Sequence, residues 1–493
     1  MPKKVIIIGS GFAGLSAASF MAKEGWEVHV IEMHDTPGGR ARRLTADGFS
    51  FDMGPSWYWM PDVFERYFAQ FGKKVSDYYS LQRLDPSYRV YWNDSETDIP
   101  ADYNQLKQLF ESIEPDAGRQ LDIFLKEAAY KYAVGINKLV YKPGLSVSEY
   151  IDWEVISGFF RLDVFSSIKK HIGRHFTNPR LQQLLEFPVL FLGALPENTP
   201  ALYSLMNYAD MIGGTWYPQG GMYSVVHGMY TLAVELGVQF HFNETVEEII
   251  LEKDAARKVR TNKNIYAADA VIGGADYHFI ESTLIPPAHR SYTDEYWDKK
   301  LMAPSCLLYY VGLSKKLKDI RHHLLFFDVP FDKHANEIYT SPSWPSDPLF
   351  YVSVSSVTDE SVAPAGHENL VFLVPVAAGL EGDTEELRQK YFEQLLDRFE
   401  ARIGEPIRDS IVFKRTFAYT DFLNEYNSFK GNAYGLANTL SQTAIFRPSC
   451  RSRKIKNLFY AGQLTVPGPG VPPSLISGEV AAKEVVKHIK QQF

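Results

Sequence analysis

Cysteine is almost absent from this chain: Cys306 and Cys450 are the two thiols in 493 residues. They lie far apart, in no metal-ligand or redox spacing. The expectation is a cytoplasmic protein in a reducing compartment, with no metal centre. A basic excess is also lacking. The net charge is −8 and the pI about 5.9, and no lysine–arginine run is suited to a phosphate backbone, so nucleic acid is not expected as a partner. Long apolar runs are missing too. The longest, Phe187 to Leu195, spans nine residues and contains Pro188 and Gly193, whereas a bilayer-crossing helix needs about 20. Lys3 and Lys4 before an apolar stretch superficially resemble a signal peptide, but that stretch is short and ends in a glycine turn. Any membrane contact is therefore expected to be peripheral. There is no internal repeat and no low-complexity tract. Aromatic residues are plentiful at 14 %, which suits a large core or a long apolar cavity. A chain of this length is expected to form two to four domains.

The richest segment is residues 5–40. An apolar run, Val5 to Ile8, enters the turn Gly9-Ser10-Gly11-Phe12-Ala13-Gly14; a helical pattern follows, then a second strand, Glu27 to Ile31, ending on Glu32. This is the βαβ fingerprint of a dinucleotide site. Gly9 permits the tight turn, Gly11 lets backbone approach a pyrophosphate, and Gly14 lets helix pack on strand. Amides at the helix start favour the phosphate charge. Glu32 stands eighteen residues after Gly14, in reach of a ribose hydroxyl, and disfavours a 2′-phosphate. Then come Gly38-Gly39-Arg40 and Asp52-Met53-Gly54-Pro55. A second glycine pair with an arginine suits a longer dinucleotide, FAD rather than NAD, with Arg40 neutralising phosphate charge; a surface turn with a solvated arginine is the plain alternative.

Farther along, Thr215-Trp216-Tyr217-Pro218-Gln219-Gly220-Gly221-Met222 precedes a helical pattern from Tyr223 to Leu236. Strands are expected at Gly237–Phe242, Val246–Leu251, Lys258–Tyr266 and from Ala268 to Asp276, the last ending in small residues. Asn457 to Gly462 reads as a short buried strand. A Pro/Gly-rich loop, Val466 to Pro473, follows it, then a helix from about Ser474 to Gln491. Segments 1–75, 215–290 and 430–493 are thus expected to build one nucleotide domain. The insertions 76–214 and 291–429 are expected to build a substrate domain. Their helices are expected at Tyr103–Ile113, Gly118–Tyr132 and Glu385–Ile403, and their strands at Leu307–Leu313, Leu349–Val354 and Leu370–Val374.

Three blocks carry a resemblance: the fingerprint through Arg40 with the Asp52–Pro55 turn; Tyr217-Pro218-Gln219-Gly220-Gly221; and Asn457 to Gly462 with Pro467-Gly468-Pro469-Gly470-Val471-Pro472. Together they resemble the flavin-dependent amine oxidase and desaturase superfamily, and within it the bacterial carotenoid desaturases of the phytoene desaturase type. The resemblance implies an α/β fold: a discontinuous Rossmann-type FAD-binding domain plus an α+β substrate domain. It implies FAD against Gly9, Gly11, Phe12, Ala13, Gly14, Glu32, Gly38, Gly39, Arg40, Gly54, Pro55, Val246, Gly462, Gly470, Val471 and Pro472. It also implies desaturation of an acyclic C40 polyene, phytoene toward lycopene, by hydride transfer to flavin N5, with oxygen or a membrane quinone as electron acceptor. The sister 3,4-desaturation of a 1-hydroxycarotenoid is the first alternative, and a flavin amine oxidase or a non-catalytic prenyl-binding relative the more distant ones. A helix N-terminus near Val471 to Ser474 would stabilise negative charge on reduced flavin.

Trp57, Tyr58 and Trp59, with Phe187 and Phe191, either line a substrate tunnel or pack in the core. No acid or base stands out. Glu149 lies near where relatives carry an Arg–Asp pair, but the arginine is missing here, and a solvated glutamate is the simpler reading. Residues 156–176 combine Phe159, Phe160 and Phe165 with Lys169, Lys170 and Arg174. They read as a basic amphipathic segment for an inner-membrane surface or as a substrate-domain helix.

Overall fold

The computed structural model describes residues 2–150, 163, 165–190 and 193–490. The fold is α/β. A five-stranded sheet joins β1 (Lys4–Ile8), β2 (Glu27–Ile31), β3 (Gln239–His241), β4 (Ala270–Gly273) and β5 (Leu458–Tyr460) in the order β5-β4-β1-β2-β3. Every pair is parallel, with Val5 opposite Ala270 and Val28, and Val271 opposite Leu458. Such a sheet is buried on both faces, which explains the unbroken apolar run of β1. Alternation divides that run. Val5 and Ile7 face α1 (Phe12–Lys23), while Ile6 and Ile8 pack against the antiparallel strands Val246–Glu252 and Ala255–Thr261. Helices α2 (Tyr223–Glu235) and α3 (Val471–Lys490) flank α1. Enclosed in this way, α1 is buried continuously from Phe12 to Met21 and shows no polar stripe.

Two expectations are corrected. The single strand over Lys258–Tyr266 is a hairpin: Ala255–Thr261 turns back into Ile265–Ala267, closed by Thr261 N–H donating to the Asn264 carbonyl (2.9 Å). The turn Thr261-Asn262-Lys263-Asn264 holds residues that bond their own backbone. Helix α3 begins three residues before Ser474, because Pro472 and Pro473 fall in a first turn that needs no N–H donors.

A seven-stranded mixed sheet runs Ile411–Phe417, Ser305–Leu313, Glu368–Val376, Phe350–Ser353, His323–Phe327, Tyr88–Trp92, Glu96–Ile99. Helix Glu385–Ile403 covers one face, where Leu307, Tyr309 and Val311 meet Phe392, Leu395 and Phe399. The alternating residues Cys306, Leu308 and Tyr310 point the other way. Cys306 and Leu308 form part of the floor of the site described next, while Tyr310 donates its hydroxyl to the Met53 carbonyl.

Candidate functional site

One cavity unites the distant motifs. It is lined by the Gly9–Ala13 turn, Glu32, Gly38–Ala41, Gly54–Trp57, Trp59, Val246, Gly462 and Pro469–Ser474. From the seven-stranded sheet come Cys306, Leu308, Tyr351 and Leu373. Its volume is about 360 Å³, within the roughly 300–1,000 Å³ of a small-molecule pocket.

The dinucleotide end is built by close backbone approach. Gly9 has φ +94°, and its N–H donates to the Ile31 carbonyl at 2.8 Å. Gly14 does not face the cavity; a Cβ there would stand 2.0 Å from the Gly9 carbonyl oxygen. Gly38 N–H donates to Ser10 O (2.9 Å), drawing the second glycine pair onto the first turn. Gly54 crosses Arg40 so tightly that a Cβ would lie 2.3 Å from the Arg40 carbonyl. Glu32 is buried and accepts from Ser10 N–H (2.8 Å), Ser10 Oγ–H (2.7 Å) and His34 N–H (3.0 Å). Arg40 donates to Ser428 Oγ (2.8 Å) and lies 3.8 Å from buried Asp276. With its amide oxygen turned inward, Gln463 accepts from the same guanidinium at 2.5 and 3.1 Å. Burial lowers the Arg40 pKa and raises that of Asp276.

The aspartate of the Asp52–Pro55 turn serves a purpose that the sequence reading missed. Its carboxylate accepts from Met222 N–H (2.8 Å) and Tyr223 N–H (3.1 Å) at the start of α2. Asp359 likewise takes Gly220 N–H (2.6 Å) and Tyr217 Oη–H (3.1 Å). The two motifs are thereby fastened to each other and to the second sheet, while Tyr217 and Gly220 themselves stand outside the lining. Burial pushes Asp52 up to about 6.

The apolar end is aromatic. Trp57 stacks on His323 (centroids 4.1 Å, planes 9° apart), and His323 Nδ1 meets the Tyr351 hydroxyl at 2.6 Å. Burial holds His323 well below its ordinary pKa and pushes the Cys306 thiol up to about 12; both are neutral at physiological pH. Trp59 Nε1–H donates to Thr215 Oγ1 (2.9 Å), which donates to Asp210 (3.0 Å), itself held by Tyr88 (3.0 Å).

Trp57 and Trp59 face the cavity, whereas Tyr58 points away. Its hydroxyl meets that of Tyr79 at 3.0 Å and its ring stacks on Phe64; alternation of an extended segment explains the difference. Phe187 sits behind the tryptophans, 6.1 and 6.3 Å from their rings, outside the lining. Phe191 lies outside the described residues, as do Phe159 and Phe160. Glu149 stands away from the cavity. Its carboxylate accepts Gly144, Leu145 and Ser146 N–H groups (2.9–3.3 Å) and closes its own loop. Lys169 is tied to Glu197 (2.5 Å) and Arg174 to Asp163 (3.3 Å). Glu127, His171 and His175 bring ligand atoms within 4.8 Å of one another, but Lys131 Nζ sits 3.4 Å from His171 Nε2, where a cation would bind. Among the described residues no helix is long and apolar enough to cross a membrane.

The arrangement fits FAD. A Cβ on Gly11 would meet only a carbonyl at 3.9 Å, and one on Gly462 nothing within 4 Å. Both glycines therefore leave backbone open to a ligand, one beside the phosphate turn and the other beside the start of α3.

The sequence pattern of the family described as flavin containing amine oxidoreductase matches residues 12–486. A carotenoid 3,4-desaturase of Haloarcula japonica is 42 % identical, covering 98 % of both chains. A zeta-carotene-forming phytoene desaturase of Myxococcus xanthus is 31 % identical, covering 98 % of this chain and 94 % of its own. Among solved structures, an oxidoreductase from Methanosarcina mazei shares the fold at a TM-score of 0.64 and 15 % identity, covering 97 % of this chain and all of its own. Wild-type putrescine oxidase bound to putrescine does so at 0.64 and 15 %, covering 99 % of each chain. These matches bear out the superfamily expected from the motifs: the chain belongs to the flavin containing amine oxidoreductase family, and its cofactor is FAD.

Proposed function

We propose that this chain desaturates an acyclic carotenoid, phytoene toward lycopene, converting CH₂–CH₂ to CH=CH. The observation that carries this reading is the single cavity, which joins a dinucleotide cradle to an aromatic, uncharged chamber. Bound FAD supplies the two-electron acceptor for the hydride. Glu32 would hold a ribose hydroxyl, Arg40 and the Gly9–Ala13 turn the pyrophosphate, and Gly462 with Gly470–Pro472 the ring system. Trp57, Trp59, Leu308, Tyr351 and Leu373 would align the polyene and exclude water, so that binding energy goes into orientation. The sheet-derived wall carries no charge, as suits a hydrocarbon. The electrons would pass to oxygen or a quinone.

Supporting a division into an FAD-binding domain (1–75, 215–290, 430–493) and a substrate-binding domain (76–214, 291–429) is the origin of the two sheets: the five strands of the all-parallel sheet come only from the first set, and the strands of the seven-stranded mixed sheet only from the second. The test of function is expression in a phytoene-accumulating bacterium. Coloured, more conjugated carotenoids are expected; unchanged phytoene beside flavin-loaded protein would reject the proposal. A second reading, 3,4-desaturation of a hydroxylated carotenoid, is favoured by the 42 % identity to a relative named carotenoid 3,4-desaturase. It predicts turnover of the hydroxylated substrate alone.

A peripheral location at the inner membrane is part of the proposal, since the substrate resides in lipid. It is supported by Phe165, 79 % exposed beside the basic helix Ile168–Ile172. In flotation with anionic liposomes the protein should rise with the vesicles, and Phe165→Ser should at least halve the bound fraction. A wild-type protein that stays at the bottom of the gradient would refute this location.

A further inference from the structure

Arg447 is 3 % exposed. Its guanidinium donates to Asn438 Oδ1 and, at 3.5 Å, to the Gln463 carbonyl; its Nε has no acceptor. Arg89, the other arginine buried this deeply among the described residues, is held by Asp98, Asp319 and Glu96. Arg447 pairs with no carboxylate among the described residues. The titratable groups beside it are the buried phenol of Tyr203 and a second cation, Lys300. Burial lowers its pKa only to about 10, so it remains charged at neutral pH. An uncompensated buried cation is strongly unfavourable, and such a group next to a cleft marks a functional candidate.

The charge lies directly behind the cavity wall. A Cβ on Gly468 would stand 2.9 Å from Arg447 Nη2 and 3.1 Å from its Cζ, so the guanidinium packs against the Pro467–Gly470 loop at Gly468. The next residues, Pro469 and Gly470, face the cavity, and α3 begins at Val471. One layer of backbone separates the cation from the cavity, at the end where the positive pole of a 20-residue helix also points.

We infer that Arg447 is a positioning residue acting by electrostatics: through the Pro467–Gly470 loop it stabilises the negative charge that a flavin ring gains on hydride addition, and so raises the reduction potential. The inference rests on the reading above, in which the ring system lies at the α3 end. Hydride added to a neutral ring leaves one negative charge, and a fixed cation in a low-dielectric wall attracts it with little screening.

Asn438→Asp gives the sharpest test. It is nearly isosteric, keeps the hydrogen bond to Arg447 and cancels its charge in place. The measurement is equilibrium reduction of FAD-loaded protein against a reference dye, with urea unfolding alongside. Asn438→Asp should be more resistant to urea than wild type, yet its flavin should be at least tenfold harder to reduce, which is about 30 mV for a two-electron couple. Arg447→Gln should lower the potential in the same direction while losing stability; Arg447→Lys should retain most of the wild-type value. If Arg447 merely braces the loop, the potential of Asn438→Asp stays within twofold of wild type, and that result overturns the inference even where Arg447→Gln fails to fold. A wild-type protein that takes up no FAD would instead sink the reading of the cavity, and this inference with it.

Discussion

Replacing Gly14 by alanine should yield a protein that emerges from purification without FAD. The added Cβ would stand 2.0 Å from the Gly9 carbonyl oxygen and 3.1 Å from its carbon. Both are backbone atoms of a turn anchored to the Ile31 carbonyl, so no side-chain rotation relieves the clash. Either the turn or the start of α1 must move, and both supply cavity lining where the phosphates are expected. Overpacking typically costs about 1–3 kcal/mol, and the rigid partner places this change at or above the upper end. The flavin-to-protein absorbance ratio should fall to about a tenth of wild type or less, with a lowered urea midpoint. Gly25→Ala is the control. Gly25 has a left-handed φ, +78°, which costs alanine about 1–2 kcal/mol, but a Cβ there meets nothing within 4 Å, so FAD should stay in place. A Gly14→Ala protein holding wild-type FAD would refute the geometry.

The second large effect concerns pH. Asp210 is buried, and burial raises its pKa from 3.8 to about 6 against the opposing hydrogen bonds of Tyr88 and Thr215. Below pH 4 the carboxyl is protonated in folded and unfolded chains alike. Between about 4 and 6 the unfolded chain ionises first, the native state holds more protons, and stability falls as pH rises. Above about 6 both forms are ionised and the full penalty, about 3 kcal/mol, is in place. Roughly 1.4 kcal/mol of it develops between pH 5 and pH 8. Asn cannot ionise and can still meet Tyr88 and Thr215. Relative to wild type, Asp210→Asn should therefore gain about 1.4 kcal/mol in unfolding free energy on going from pH 5 to pH 8. Parallel pH profiles for the two proteins would show that Asp210 keeps an ordinary pKa.

Much of the parallel sheet was legible in advance. Expected strands such as Val5–Ile8 and Glu27–Ile31, and helices Tyr103–Ile113 and Glu385–Ile403, agree with the structure to within a residue, because each is a local period closed by its own caps and turns. The hairpin at Thr261–Asn264 was not, since alternation continued through the turn. At the site, Gly9, Arg40 and Pro472 could be chosen from spacing and resemblance, but Leu308, Tyr351 and Leu373 could not. Nothing beside them in sequence marks them as lining, and they reach the cavity only because one face of the seven-stranded sheet is turned toward it. The orientation of Tyr58, away from Trp57 and Trp59, depends on which face of an extended segment meets the second sheet.

The chain alone determined where backbone must pass without side chains, and therefore that a dinucleotide lies against it: a missing Cβ is a local property, encoded one glycine at a time. Only the tertiary structure decided which charges are paired. Asp52 finds its amide partner 170 residues away and Arg40 its hydroxyl 388 residues away, while Arg447 is left with no carboxylate among the described residues. Burial and pairing are sums over neighbours that folding brings together, and no window of sequence contains them.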